Sequence, residues 1–143
     1  MSYIHIIGFR CHQNEKIQLP EHGSVLLNGP SGSGKSTILE AFSYALSGKP
    51  NKPYTFGKTT CRVSLYLKSH DMSIVRTSRP NRLLVKHGGE EYEDIGAQGV
   101  INSQVCTMEE FDYGCYIKQK SANSLVTMTP SQQLEFVQTI AFD

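Results

Sequence analysis

The run Gly29-Pro30-Ser31-Gly32-Ser33-Gly34-Lys35-Ser36-Thr37 constrains this chain more tightly than any other stretch. It follows a short apolar run, Val25-Leu26-Leu27, and opens a helical pattern. Those are the residues and the flanks of a phosphate-binding P-loop. Its glycines let backbone N–H groups close around phosphate oxygens, and a helix opening at Lys35 aims the positive end of its dipole at the same anion. Lys35 is expected to pair the terminal phosphates, Ser36 to coordinate Mg²⁺, and Thr37 to hydrogen-bond the phosphate nearest the sugar. The competing reading, a flexible Gly/Ser turn, leaves the apolar run before it and the helix after it without a purpose.

A length of 143 residues suits one domain, and a hydrophobic content of 38% is enough for a core. No apolar stretch approaches the roughly 20 residues that span a bilayer. The start, Met1-Ser2-Tyr3-Ile4-His5, lacks the basic-then-apolar order of a signal peptide. The expectation is a soluble, intracellular chain without a membrane partner. Cys11, Cys61, Cys106 and Cys115 are scattered, with no CxxC pair, and read as reduced, mostly buried thiols.

A net charge of +1 hides an asymmetry along the chain. Lys49, Lys52, Lys58, Arg62, Lys68, Arg76, Arg79, Arg82 and Lys86 face a single acid, Asp71, in the same stretch. The next stretch reverses this, with Glu90, Glu91, Glu93, Asp94, Glu109, Glu110 and Asp112 and no Lys or Arg. Either the basic stretch meets a polyanion, or the two stretches are solvated strand faces that neutralise each other in space.

Alternation of apolar and polar residues predicts a first strand pair at Tyr3–Phe9 and Lys16–Leu19, then a buried strand at Ser24–Asn28. Ile38, Leu39, Phe42, Ala45 and Leu46 keep helical spacing from Lys35, and Gly48 with Pro50 ends that helix. Strands are predicted at Arg62–Lys68 and Met72–Ser78 around the turn Ser69-His70-Asp71, with a third at Leu83–Lys86. A helix is expected over Glu93–Gln104 and a short strand over Tyr113–Ile117. Thr129-Pro130-Ser131-Gln132 is a capping box with Pro at the first helical position, so a final helix starts near Pro130.

A P-loop alone binds nucleotide; hydrolysis also needs a carboxylate for Mg²⁺ at the end of an apolar strand and a group that orients water. Asp71 follows Lys68-Ser69-His70 and Asp112 follows Glu109-Glu110-Phe111, so neither fits. Guanine reading fails as well, because Asn51-Lys52-Pro53-Tyr54 has Tyr in place of an Asp. A dinucleotide fold fails because Thr37 stands where the third Gly belongs.

Several segments together resemble the N-terminal half of an SMC-type ATPase head. They are Ile4-His5-Ile6-Ile7-Gly8-Phe9-Arg10, the P-loop, the helix Ser36 to Leu46, and Tyr116-Ile117-Lys118-Gln119. Within that group the chain most resembles the double-strand-break-repair ATPase that partners a nuclease. Leu125 and Pro130-Ser131-Gln132-Gln133-Leu134-Glu135-Phe136 resemble the family's passage into a long coiled coil. Pro30-Ser31-Gly32 departs from the Asn-Gly run commoner there and is frequent in transporter ATPases.

The resemblance implies an α/β fold of the P-loop NTPase class: an ABC-ATPase head lobe with an antiparallel β-meander and flanking helices, half of a split head. The expected organisation is strands, P-loop and first helix over 1–48, a basic meander over 49–92, a helix and Q-loop over 93–121, and a helix leading toward a coiled coil over 122–143. It implies ATP and Mg²⁺ as cofactors, held by Arg10, Asn28, Gly29, Ser31, Gly32, Ser33, Gly34, Lys35, Ser36, Thr37 and Gln119. Lys35 and Gln119 would act in catalysis, and Ser36 and Gln119 on the metal. The C-terminal half of the head would supply the remaining catalytic acids, which accounts for their absence above. Implied partners are that C-terminal half, a second head in a homodimer, double-stranded DNA and a nuclease subunit, in the nucleus or nucleoid. Lys52, Lys58, Arg62, Arg79 and Arg82 are the expected DNA contacts. Alternatives are a transporter-type ABC subunit, against which the long connection from Lys35 to Gln119 argues, a nucleotide switch with incidental turnover, and a small P-loop kinase with Arg76, Arg79 and Arg82 as its lid.

Overall fold

The computed structural model describes residues 1–50, 53–117 and 128–142, which form two compact units, Met1–Val105 and Cys106–Asp143. The first unit is built on a six-stranded antiparallel sheet in the order β2-β1-β3-β4-β5-β6. Its strands are β1 (Ser2–Phe9), β2 (His12–Leu19), β3 (Cys61–Leu67), β4 (Met72–Ser78), β5 (Arg82–His87) and β6 (Glu90–Glu93). Two helices belong to it, α1 (Lys35–Ser47) and α2 (Asp94–Gln104).

Period-two patterning decides which face is covered. Ile4, Ile6, Val63, Leu65, Met72, Ile74, Leu83 and Val85 are buried and share one face. Against that face lie Ala41, Tyr44 and Ala45 of α1 and Ala97 and Ile101 of α2. The small alanines let the helix axes approach the sheet, and Phe9 meets Tyr44 with ring centroids 5.5 Å apart. Burial pushes the Tyr44 hydroxyl and the adjacent Cys61 thiol above their ordinary pKa values. The opposite face carries Tyr3, Ile7, Arg62, Tyr66, Val75, Arg82 and Leu84, all at least partly exposed.

The first strand pair, the meander, α1 and α2 form as the sequence predicts, with β2 starting earlier, at His12, and β6 added. Ser24–Asn28, expected as a buried strand, is an irregular segment: Val25 is 51% and Leu26 88% exposed. A strand exists only where a neighbour takes its hydrogen bonds, and no described strand lies beside this one. Of the thiols only Cys61 is fully buried; Cys11 and Cys115 are exposed, so the expectation of mostly buried cysteines is corrected.

In the second unit, Thr107 caps the short helix α3 (Met108–Glu110) in a reciprocal capping box with Glu110. The Thr107 backbone N–H, donating to Glu110, holds that carboxyl below its usual range. The chain then runs into a wide helical turn, Phe111–Cys115, closed by the Tyr116 N–H donating to the Phe111 carbonyl at 2.8 Å. The strand expected at Tyr113–Ile117 is therefore a turn: the Phe111 and Tyr116 rings meet at 5.7 Å around it. Helix α4 (Pro130–Phe142) starts where its capping box predicts, with the Thr129 N–H donating to Gln132.

Candidate nucleotide site

The P-loop lies between Asn28 and the first turn of α1, and its geometry follows from its glycines. Gly32 and Gly34 sit at φ of 81° and 89°, where an L side chain is strained. Gly34 is the N-cap of α1 and offers no side-chain cap, and the first turn carries no acid. The leading N–H groups and the positive end of the dipole thus stay available to an anion.

Lys35 folds back over the loop, where its ammonium donates to the carbonyls of Gly29 at 2.8 Å and Pro30 at 2.7 Å, and to Ser33 Oγ at 3.4 Å. The Gly29 N–H donates to Asn28 Oδ1. An ammonium held by carbonyls at the loop's centre has the charge and the reach to exchange them for phosphate oxygens. Ser36 is exposed and Thr37 half-exposed on the first turn of α1, so both hydroxyls are accessible. The cradle, the glycines and this ammonium fit a Mg²⁺-bound triphosphate.

Residues outside the motif hold the loop in place. The β1–β2 hairpin tip leans on it: His12 Nε2 lies 3.1 Å from the Gly34 carbonyl, and a Cβ on Gly34 would come within 2.6 Å of Cys11 Sγ. Arg10, in the left-handed region at φ 47°, donates its N–H to Pro53 and pairs through Nε with Glu40 of α1 at 2.8 Å. Arg10 thus sits on the tip that braces the loop. At the far end of α1, Arg76 of β4 is buried and donates to the carbonyls of Ala45 and Leu46 and, at 2.7 Å, to Gln98 of α2. Gln98 in turn donates to the same Leu46 carbonyl at 2.9 Å. A cation there complements the negative end of the α1 dipole, while burial pulls its pKa down.

Sequence reading missed His12, Glu40, Arg76 and Gln98 as supports, because each acts through a contact distant in sequence. It also placed Arg76 in a kinase-like lid with Arg79 and Arg82. Arg76 points to the covered face of the sheet and Arg82 to the other, so the three do not form one. Gln119 and Lys52 lie outside the described residues.

On the open face the register aligns Ile7, Arg62, Thr77 and Arg82 across β1, β3, β4 and β5. Together with Arg79, Val75 and Leu84 these residues line a basin of about 470 Å³. Among the described residues no carboxylate pairs with Arg62, Arg79 or Arg82, whereas Lys86 pairs with Glu91 and Lys68 with Glu21. Among the described residues, neutralisation between the two stretches thus reduces to Lys86 with Glu91, and it does not reach the arginines. Lys58 lies apart from the basin's lining and donates to Gln13.

An antiparallel sheet covered on one face by the helix of a P-loop defines the class: a nucleotide-binding α/β ATPase lobe. Residues 3–139 match the AAA domain family (AAA_23), and the chain belongs to that family. Over 147 residues it is 33% identical to protein 050L of Invertebrate iridescent virus 6, covering 99% of this chain and 12% of that protein. It is also 31% identical over 149 residues to the DNA double-strand break repair Rad50 ATPase of Methanocaldococcus jannaschii, covering 96% of this chain and 15% of that one. A solved structure from work on ATP-driven dimerization and DNA-stimulated activation of SMC ATPases superposes with a TM-score of 0.71 at 18% identity, covering 96% of this chain and 97% of that one. The chain thus resembles the Rad50 ATPase in sequence and the SMC ATPase structure in fold, and it spans only 12% to 15% of the length of the two curated relatives.

Proposed function

We propose that this chain is the ATP-binding half of an SMC-type head that completes its site with a C-terminal half and dimerises around Mg-ATP to clamp double-stranded DNA. The observation that carries the reading is the exposed pair Val25 and Leu26, followed by a half-buried Leu27, directly before the phosphate loop that Lys35 closes through its hydrogen bonds. An apolar segment left in water beside an intact phosphate cradle fits a sheet that other residues complete. The double-strand break repair named for the Rad50 relative and the DNA-stimulated activation named for the SMC ATPases support a DNA-repair setting; the nucleus or nucleoid and a nuclease subunit as a further partner follow from the family resemblance alone. No helix among the described residues is long and apolar enough to cross a membrane.

In this reading Gly32 and Gly34 let the backbone close on the phosphates, Lys35 neutralises their terminal charge, Ser36 and Gln119 hold the metal, and Thr37 binds the phosphate nearest the sugar. Asn28, Gly29, Ser31 and Ser33 shape the loop. When bound there, Mg²⁺ would supply neutralisation of the phosphate charge. Arg10, braced by Glu40, stands at the hairpin tip beside the loop. The arginines of the open face would take DNA phosphates, with Lys58, apart from the basin, and Lys52, outside the described residues, as further expected contacts.

The test is Mg-ATP binding and turnover by the chain, with and without DNA, then with the rest of its parent protein added. Binding alone, followed by DNA-stimulated hydrolysis on completion, is the expected result; Lys35→Ala abolishes both and leaves the fold intact. Efficient turnover by the isolated chain would overturn the half-head reading and favour a kinase-like enzyme. If about six phosphates are neutralised, log K for DNA falls against log salt with a slope near −5. A flat salt response removes the DNA-facing assignment.

A further inference from the structure

The open face of the sheet has features that a duplex backbone alone does not use. Its basin has an aliphatic floor of Ile7, Val75 and Leu84 beneath Arg62, Arg79 and Arg82. A volume of about 470 Å³ lies in the ~300–1,000 Å³ range of pockets that enclose small ligands. Arg62 and Arg82 flank Thr77 across three adjacent strands, which puts their backbones about 10 Å apart at a strand spacing of ~4.8 Å. Beside the basin runs the loop of residues 53–60: Tyr54 lies under the Arg79 guanidinium at 5.9 Å, and Thr60 lines the basin wall. Between those two anchors Phe56 is 102% exposed, a whole aromatic ring in water with no packing role.

We propose that this face binds an unpaired nucleotide of a DNA strand, with base faces against Phe56 and the aliphatic floor and phosphates on Arg62, Arg79 and Arg82. The inference rests on the DNA-facing reading above and narrows it. A paired, stacked duplex presents only phosphates and groove edges to a surface, so it leaves both the basin and the ring unfilled. A single strand offers unstacked bases at no unpairing cost, and each base stacked on an aromatic ring strengthens binding severalfold or more. Three guanidiniums without a carboxylate partner among the described residues, and no acid in the lining, favour a nucleic acid over a neutral peptide.

The experiment compares an oligothymidine of about twelve nucleotides with a blunt duplex, by fluorescence anisotropy on the chain and on Phe56→Ala. The expected result is tighter binding of the oligothymidine, with about tenfold loss in Phe56→Ala and less than about twofold change for the duplex. Because the ring is fully exposed, this variant keeps the fold. A second variant, Val75→Thr with Leu84→Thr, makes two of the three floor side chains polar without adding charge and lowers oligothymidine binding alone. Equal affinity for both DNAs, or no response to either variant, overturns this inference while the DNA-facing reading stands. Binding of neither DNA by a chain that still binds Mg-ATP overturns both. Displacement of oligothymidine by a leucine-containing polyglutamate peptide that binds more tightly would reassign the basin to an acidic protein partner.

Discussion

Replacing Gly34 with Ala separates two reasons for a glycine in a phosphate loop, because Gly32 provides a matched control. Both sit at positive φ, and an L residue there costs about 1–2 kcal/mol. Around Gly32 a Cβ meets nothing within 4 Å, whereas at Gly34 it comes within 2.6 Å of Cys11 Sγ and 2.7 Å of His12 Nε2. The Cys11 side chain can rotate away, but the His12 ring is tied to the Gly34 carbonyl, and displacing it forfeits about 1 kcal/mol of hydrogen bonding. The loop is exposed and can relax without disturbing the sheet, so the cost surfaces in nucleotide affinity more than in Tm. Gly32→Ala is then expected to weaken Mg-ATP binding by roughly 5–30-fold and Gly34→Ala by about fivefold more. His12→Ala alone weakens it about fivefold, and adds little to Gly34→Ala because both break one contact. Isothermal titration of the variants measures this. Equal losses at Gly32 and Gly34, or additive losses for the double variant, would refute the argument that the hairpin tip sets the loop.

Arg76→Met leaves the Ala45 carbonyl without its donor and removes the cation from the end of α1, so it costs about 2 kcal/mol. Thermal unfolding reads this as a fall of roughly 5–10 °C in Tm, of which Arg76→Lys recovers only part because an ammonium lacks the fork that also reaches Gln98. Acidification loosens α3. The folded pKa of Glu110 is depressed, so its contribution is present above the ordinary carboxylate value of about 4.3 and disappears as pH falls through the lower folded value. Amide exchange at Thr107 should rise in that window, and Glu110→Gln should remove the pH dependence. Arg62→Ala with Arg82→Ala should reduce the steepness of the DNA salt response by about 2, one step per lost phosphate contact.

The loop, its helix and the meander were legible because each rests on local rules: glycine conformational freedom, period-3.6 apolar spacing in α1, and period-two alternation in β1, β3 and β4. Ser24–Asn28 obeyed the same apolar rule and still formed no strand, since pairing depends on a neighbour that sequence position does not reveal. The stretch Tyr113–Ile117 misled for a similar reason: its aromatic residues suit a strand locally, but the Thr107 capping box starts a helical turn first. Arg76 looked like one more member of a basic stretch. Its place in β4 puts it one residue out of phase with Val75 and Thr77, and the pleat sends it to the covered face.

What the sequence determined by itself is therefore the phosphate-binding chemistry and the local elements that present it, because those depend on the dihedral freedom and hydrogen-bonding groups of adjacent residues. What only the tertiary structure decided is how that chemistry is held and what surrounds it. The His12–Gly34 contact, the Arg76–Gln98 clamp on α1 and the arginine basin over Ile7, Val75 and Leu84 each join side chains far apart in the chain. Strand register and the pleat set those meetings, and they arise only when the whole sheet assembles.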